Sequence, residues 1–234
     1  EKFFTPVQGI PDTNHIENRV MARAVRDTIF QLRASALAHN VTLPASTPEF
    51  AFSFTVQAGK ATYEPTSDEM LAKQLGEVKA ICDTLFNARI TALDAIQRER
   101  TSDDLNPGNT VGGNDYTDSA SLTNGNIVIT PYQVTFECFT PELGGVLSSF
   151  ANAQHTVVVK TVNLQPVDLN MGGGGGEMPG NYGGAYAGAY AGGYAGGAPA
   201  PVAGRGGLPT VIDEKKLKVI LMLDFVKIVP AQAR

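Results

Sequence analysis

Three histidines, two cysteines, a glycine tract and four evenly spaced tyrosines are the residues of this chain whose types suit chemistry. His15, His39 and His155 are too scattered to suggest a metal cluster. Cys82 and Cys138 have neither the spacing of a zinc site nor that of a CxxC redox pair. Both fall on the apolar face of their predicted elements and read as buried free thiols. A disulfide between them requires that the two elements be neighbours, which stays open at this stage. The glycine tract invites a phosphate-loop reading. Such a loop needs a strand before it and a helix after it that carries a Lys-Ser/Thr pair. Here the tract leads into a strand signal, and Lys215-Lys216 is followed by neither Ser nor Thr. Gly-x-Ser-x-Gly is absent. The acidic pairs Asp68-Glu69 and Asp103-Asp104 are explained by a helix start and by solvation in a polar loop. No catalytic, metal or cofactor-binding residue emerges, and the expectation is a protein that is not an enzyme and needs no cofactor.

The tyrosines Tyr182, Tyr186, Tyr190 and Tyr194 recur every four residues. On a helix they would form a stripe, but the glycines around them oppose a helix. They read as part of a flexible linker, or as candidate weak-interaction tyrosines that stack on a partner or on glycan. The net charge of -5 argues against a nucleic-acid partner, and the aromatic Lys/Arg-Gly-Phe/Tyr signature of RNA-binding sheets is missing.

The elements that position these residues follow from periodicity. Asp12 and Thr13 are candidate caps for a helix running to about Ala38. Met21, Val25, Ile29, Leu32 and Ala36 make its single apolar stripe. The first four are candidate partner contacts. Phe50, Phe52, Phe54 and Val56 alternate with small and polar residues and predict a half-buried strand. Thr66 to Glu69 reads as a capping box. It opens a helix carrying Leu71, Leu75, Val78, Cys82 and Leu85 at spacings of four and three. ARITALDAIQRER fits a helix by spacing but follows a helix end directly, and a strand is expected. Residues 101–126 form a long polar loop, expected to be mobile. Val134, Phe136 and Cys138 share one face of a strand in which Pro131 suggests an edge or a bulge. Thr140-Pro141-Glu142 starts a short helix with Leu143, Val146, Leu147 and Phe150 on its stripe. A Val-rich strand occupies His155 to Pro166, and Leu217, Val219, Leu221, Leu223, Phe225 and Val229 mark the last strand. Ile220, Met222, Val226 and Ile228 make its second face apolar too, so it should be central or covered on both sides.

The order α, βαβ, βαβ, β predicts an α+β fold: a ferredoxin-like (βαββαβ) body with an N-terminal helix and an added C-terminal strand. Residues 1–48 are the helix and its connection, and residues 49–170 with 208–234 form the body. Residues 171–207, almost wholly Gly, Ala, Tyr and Pro, form a disordered insert. The chain starts Glu1-Lys2-Phe3-Phe4 without Met and reads as a processed or truncated product. No run approaches the length of a membrane span.

Three stretches carry a family rhythm: RDTIFQLRASALAHNVTLP, DEMLAKQLGEVKAICDTLFNARITAL and ITPYQVTFECFTPELGGVLSSFANAQHTVVVKTVNLQPVD. In layout the chain resembles the PilO family of type IV pilus assembly proteins and the related type II secretion M proteins. Within that group it is most like the pilus-cluster proteins of Akkermansia-type bacteria. The resemblance implies a periplasmic ferredoxin-like domain held to the inner membrane by an anchor upstream of Glu1. It also implies partnership with itself or with a related pilus-assembly subunit, and no catalytic residues. A second reading is an envelope or secreted module that contacts glycan or a host protein through its Tyr/Gly-rich tract.

The tract has no core to offer. Replacing residues 171–207 with a short Gly/Ser linker should leave the melting temperature nearly unchanged. A loss of several degrees in a thermal scan would show that the tract packs on the body.

Overall fold

The computed structural model describes residues 16–45, 49–105, 114–153, 157–167 and 215–228. Asp12, Thr13, His15, His155, Val229 and the four tyrosines of the tract lie outside them. Helix α1 spans Asn18–Ala38, a short α2 spans Thr55–Ala58, α3 spans Asp68–Asn87 and α4 spans Thr140–Ala151. The strands are β1 Ala92–Arg98, β2 Leu122–Asn124, β3 Ile127–Cys138, β4 Val157–Pro166 and β5 Leu217–Ile228. Their order is β1-β3-β5-β4, with β2 pairing the first part of β3, and every pairing is antiparallel. The fold is α+β, as the element order predicts.

The C-terminal strand is not an appendage. β5 lies between β3 and β4 and is antiparallel to both. In a βαββαβ body this central slot belongs to the first strand. The segment expected to fill it, Phe50 to Val56, is not a strand. Phe52 and Ser53 take left-handed φ values of 51° and 75°, and the chain then enters α2. The Phe alternation that reads as a pleat instead sets Phe52 and Phe54 as plugs in the core. Polar contacts hold the turn: Ser53 Oγ donates to the Asp115 carbonyl, and the Thr55 N–H donates to Asp115 Oδ2 at 3.1 Å. The ferredoxin-like sheet order is therefore reached with the first strand supplied from the far end of the chain.

The helix stripes behave as their spacing requires. Leu71, Leu75, Val78, Cys82 and Leu85 of α3 are buried against the inner sheet residues Tyr132, Val134, Phe136 and Cys138 of β3 and Val219, Leu221, Leu223 and Phe225 of β5. α1 packs on α3 through Met21, Val25, Ile29, Leu32 and Ala36. Asn40, at φ 58°, ends α1 in the left-handed conformation that Asn tolerates, and the Val41 N–H closes back on the Ala36 carbonyl at 2.8 Å.

The starts of the helices differ from the expectation. α1 begins at Asn18 after a non-helical Glu17, so Asp12 and Thr13 do not cap it. α3 begins after Ser67, without a side-chain cap. Thr66 Oγ1 bonds Ser102 Oγ at 3.0 Å, and Glu69 reaches forward to Lys73 rather than back. At α4 the N-cap is Phe139, one residue before Thr140, and Glu142 Oε2 accepts the Phe139 N–H at 2.9 Å. Phenylalanine has no acceptor to return, so only half of a capping box forms. Pro131 lies in an interior strand, not at an edge. Its place is the gap where β3 has left β2 at Ile129 and not yet met β1 at Tyr132, so its missing N–H breaks no ladder.

Leu221 is fully buried in the central strand. Leu221→Ala should cost about 2–5 kcal/mol, the range for a core leucine. Urea denaturation measures it, and a cost near zero would mean that β5 is peripheral.

Candidate functional site

The densest cluster of ionisable groups surrounds Arg98, the last residue of β1, whose side chain is wholly buried. Its Nη1 and Nη2 donate to the two carboxylate oxygens of Asp104 at 2.8 and 3.1 Å. Nε donates to the Ser53 carbonyl at 2.9 Å, and Gln74 Oε1 and Gln57 Oε1 each accept at 3.0 Å. Phe54 and Tyr116 present their rings to the guanidinium, with centroids 4.8 and 5.3 Å away. Asp104 also accepts the Thr101 N–H and the Tyr116 hydroxyl, each at 2.8 Å. Burial pushes the Asp104 carboxyl up. The Arg98 hydrogen bonds and charge, with the Thr101 and Tyr116 donors, outweigh that and hold it well below the usual carboxylate range. Asp103 beside it is buried too and pairs with Lys60 Nζ at 2.9 Å.

The cluster is a clasp rather than a reactive centre. Each donor of the guanidinium has an acceptor, and Asp104 is bound by neutral and cationic donors on every side. It draws together the turn before α2, the helix α3, the end of β1 and the 3-10 turn Ser102–Leu105. This corrects the reading of Asp103 and Asp104 as acids solvated in a polar loop: both are buried, with Thr101 and Tyr116 buried beside them. The signal that finds them is Arg98 itself, a charge at a core-facing position of the strand that also buries Leu93 and Ile96.

A second polar cluster sits where α3 meets β3 and β5. Glu77 is fully buried, accepts the Tyr132 hydroxyl at 2.5 Å and pairs with Lys227 at the end of β5. Burial raises its carboxyl above the ordinary range, against the lowering effect of Lys227. A shallow cleft of about 280 Å³ opens here, and its charged groups already pair with one another, Lys73 with Glu69 and Lys227 with Glu77. It falls short of the size usual for small-molecule sites. Among the described residues no group of His, Cys, Asp and Glu is placed to hold a metal ion. Both cysteines are buried free thiols. Burial raises Cys82 well above its ordinary value and Cys138 to about 11.

The candidate partner contacts Met21, Val25, Ile29 and Leu32 are consumed inside the chain. All four are buried in the core, so this face of α1 presents nothing to a partner. The helix shows apolar side chains on its other face, at Phe30 (74% exposed) and Leu37 (79% exposed), two turns apart. The larger exposed apolar set is on β4. Val158, Val162 and Leu164 are exposed along this ten-residue strand, which pairs with β5 on one side and has no partner strand on the other among the described residues. The opposite edge, β1, is covered by isolated bridges from Thr42 and Tyr116. Valine-rich periodicity marks β4 as a strand, but which strand ends the sheet depends on where β5 inserts.

Asp104→Asn leaves a buried guanidinium without its counter-charge and should cost about 3–5 kcal/mol in urea denaturation at pH 7. The folded Asp104 carboxyl lies below the unfolded value of about 3.9. Its contribution is therefore present above that pH and is lost as pH falls through and below it. The wild type should lose more stability between pH 6 and pH 2 than the Asp104→Asn variant loses. Parallel acid limbs would remove Asp104 from the account.

No protein-family model matches this chain, and no curated protein matches it. Solved structures do. A crystal structure from Akkermansia muciniphila superposes with a TM-score of 0.59 at 8% identity, covering 100% of this chain and 87% of the other. The crystal structure of a core domain from the same organism gives 0.57 at 10% identity, over 90% of this chain and 88% of that one. A third, described as lacking its transmembrane region, also gives 0.57, at 11% identity, over 97% and 94% of the two chains. At such identities the likeness is one of fold, and the fold of this chain is the one those Akkermansia muciniphila proteins adopt.

Proposed function

We propose that the chain is a non-enzymatic structural subunit of a type IV pilus, or related secretion, assembly machine. It acts through protein-protein contacts on the periplasmic side of the cell envelope, held to the inner membrane by an anchor upstream of Glu1. Its partner is itself or a related pilus-assembly subunit. The observation that carries this reading is where the side chains are spent. Arg98 pairs internally with Asp104 and Glu77 with Lys227, both thiols are buried, and the charged groups lining the described cleft pair with one another. Apolar side chains stand exposed on β4 and on the outer face of α1. Chemistry is turned inward and adhesion outward. The PilO-like layout of the sequence supports the same reading, as does the shared fold with proteins of which one has a transmembrane region.

Affinity isolation of the tagged full-length protein from detergent-solubilised membranes tests this. The protein should resist carbonate extraction, and related pilus-assembly subunits should co-purify in stoichiometric amount. Recovery from the soluble fraction, with bound glycan and no assembly subunit, would replace this reading with that of a binding module.

A further inference from the structure

β4 holds a contradiction that a second protein surface resolves. Val157 and Val159 face the core at the start of the strand, opposite Phe225 and Leu223. A bulge between Val159 and Thr161 absorbs Lys160, and the strand resumes with Val162 opposite Leu221 and Leu164 opposite Val219. These partners are core residues, so Val162 and Leu164 lie on the core face of the sheet. Yet they are 38% and 47% exposed. Beyond them β4 has no strand partner among the described residues, and its outward N–H and C=O groups are available for pairing. The usual guards of a sheet edge are absent from this half: Thr161 to Gln165 contains no charge, and Pro166 comes only at its end.

We infer that this edge is the seat of a second copy of the chain, joined β4 to β4 in antiparallel register about a two-fold axis at Asn163. The inference rests on the reading of the chain as an assembly subunit that works through its surfaces. The choice of occupant comes from self-complementarity. A two-fold contact brings each residue to the one equally far on the other side of the axis. Centred on Asn163, Val162 meets Leu164 of the second copy and Leu164 meets its Val162, so four apolar side chains close over the uncovered core face. Thr161 meets Gln165, Asn163 meets Asn163, and Lys160 meets Pro166, so no like charges oppose. The axis stands normal to the sheet, and the helices of both copies remain on one face of a continuous sheet.

The test uses the full chain carrying Asn163→Cys under mild oxidation. Residues directly opposite in an antiparallel pair lie within disulfide reach, and Cys82 and Cys138 are buried and do not compete. A disulfide-linked dimer should form. Thr161→Cys should give none, because the register sets the two copies of that residue four positions apart. Adding Val162→Lys should abolish the cross-link and weaken the dimer at least tenfold by sedimentation, with the thermal transition unmoved. A monomeric Asn163→Cys protein, or a Val162→Lys dimer as firm as the wild type, overturns the inference. A cross-link that appears only after residues 171–207 are deleted overturns it in favour of the chain's own tract as occupant. If the homodimer fails while the wild type still co-isolates a related assembly subunit, the second copy is not the occupant and the assembly reading stands. If both fail, the assembly reading falls with it.

Discussion

The sheet of this protein depends on its last strand. β5 is paired on both sides, to β3 along its whole length through residues 127–138 and to β4 from Leu217 to Phe225 through residues 157–166. Its inner face supplies Val219, Leu221, Leu223 and Phe225, all at or near complete burial. Without it β3 and β4 share no ladder, and α3 and α4 have no floor between them. Roughly fifty residues separate β4 from β5. Closing a loop of that length costs only slightly more than closing a short one, because the entropy grows with the logarithm of length. A long insert therefore sits at this connection with little penalty, and the strand still finds its slot because two ladders and one buried face reward it together.

The Arg98 clasp does the complementary work on the other flank. An isolated buried guanidinium is among the costliest groups a core can hold. Here its cost is offset by a bidentate carboxylate, two side-chain amides, backbone carbonyls and two aromatic faces. Such a network contributes less to raw stability than to selecting one arrangement, since each partner must arrive for any to be satisfied. The segment from Ser53 to Gln57 owes its non-strand geometry to this demand. Were Phe50 to Val56 extended in the sheet, Arg98 would lose the Ser53 carbonyl and the Gln57 amide.

That trade explains what is legible in the sequence. Residues whose environment is set by near neighbours read correctly: the stripes of α1 and α3, the Val134-Phe136-Cys138 face of β3, and the two-faced apolar run of β5. The α+β class follows from them. What fails depends on partners distant in sequence. Phe50, Phe52 and Phe54 alternate as a strand does, but residues forty to sixty positions away decide their geometry. Asp103 and Asp104 look like solvent-exposed acids until Arg98 and Lys60 are placed beside them. The stripe Met21, Val25, Ile29 and Leu32 is apolar as its spacing says, but its partner is α3 of the same chain rather than a second protein. The exposed edge at β4 is hidden for the same reason: an edge is a property of strand order, and strand order here is set by the final twelve residues of the sheet.

The burial of the two thiols has a consequence for where such a fold can operate. Cysteine reacts as the thiolate, and burial raises both thiols, Cys138 to about 11 and Cys82 well above its ordinary value, so both are almost entirely protonated at neutral pH. Neither sulfur is open to a glutathione molecule, a disulfide donor or peroxide while the core is closed. The two thiols of the folded protein are therefore indifferent to redox potential: they neither need an oxidant nor form mixed disulfides where one is present. Vulnerability is confined to the interval before β5 docks, when Cys138 on β3 lacks its cross-strand neighbour Leu217. Oxidation found at either of these two cysteines should thus report incomplete folding rather than age.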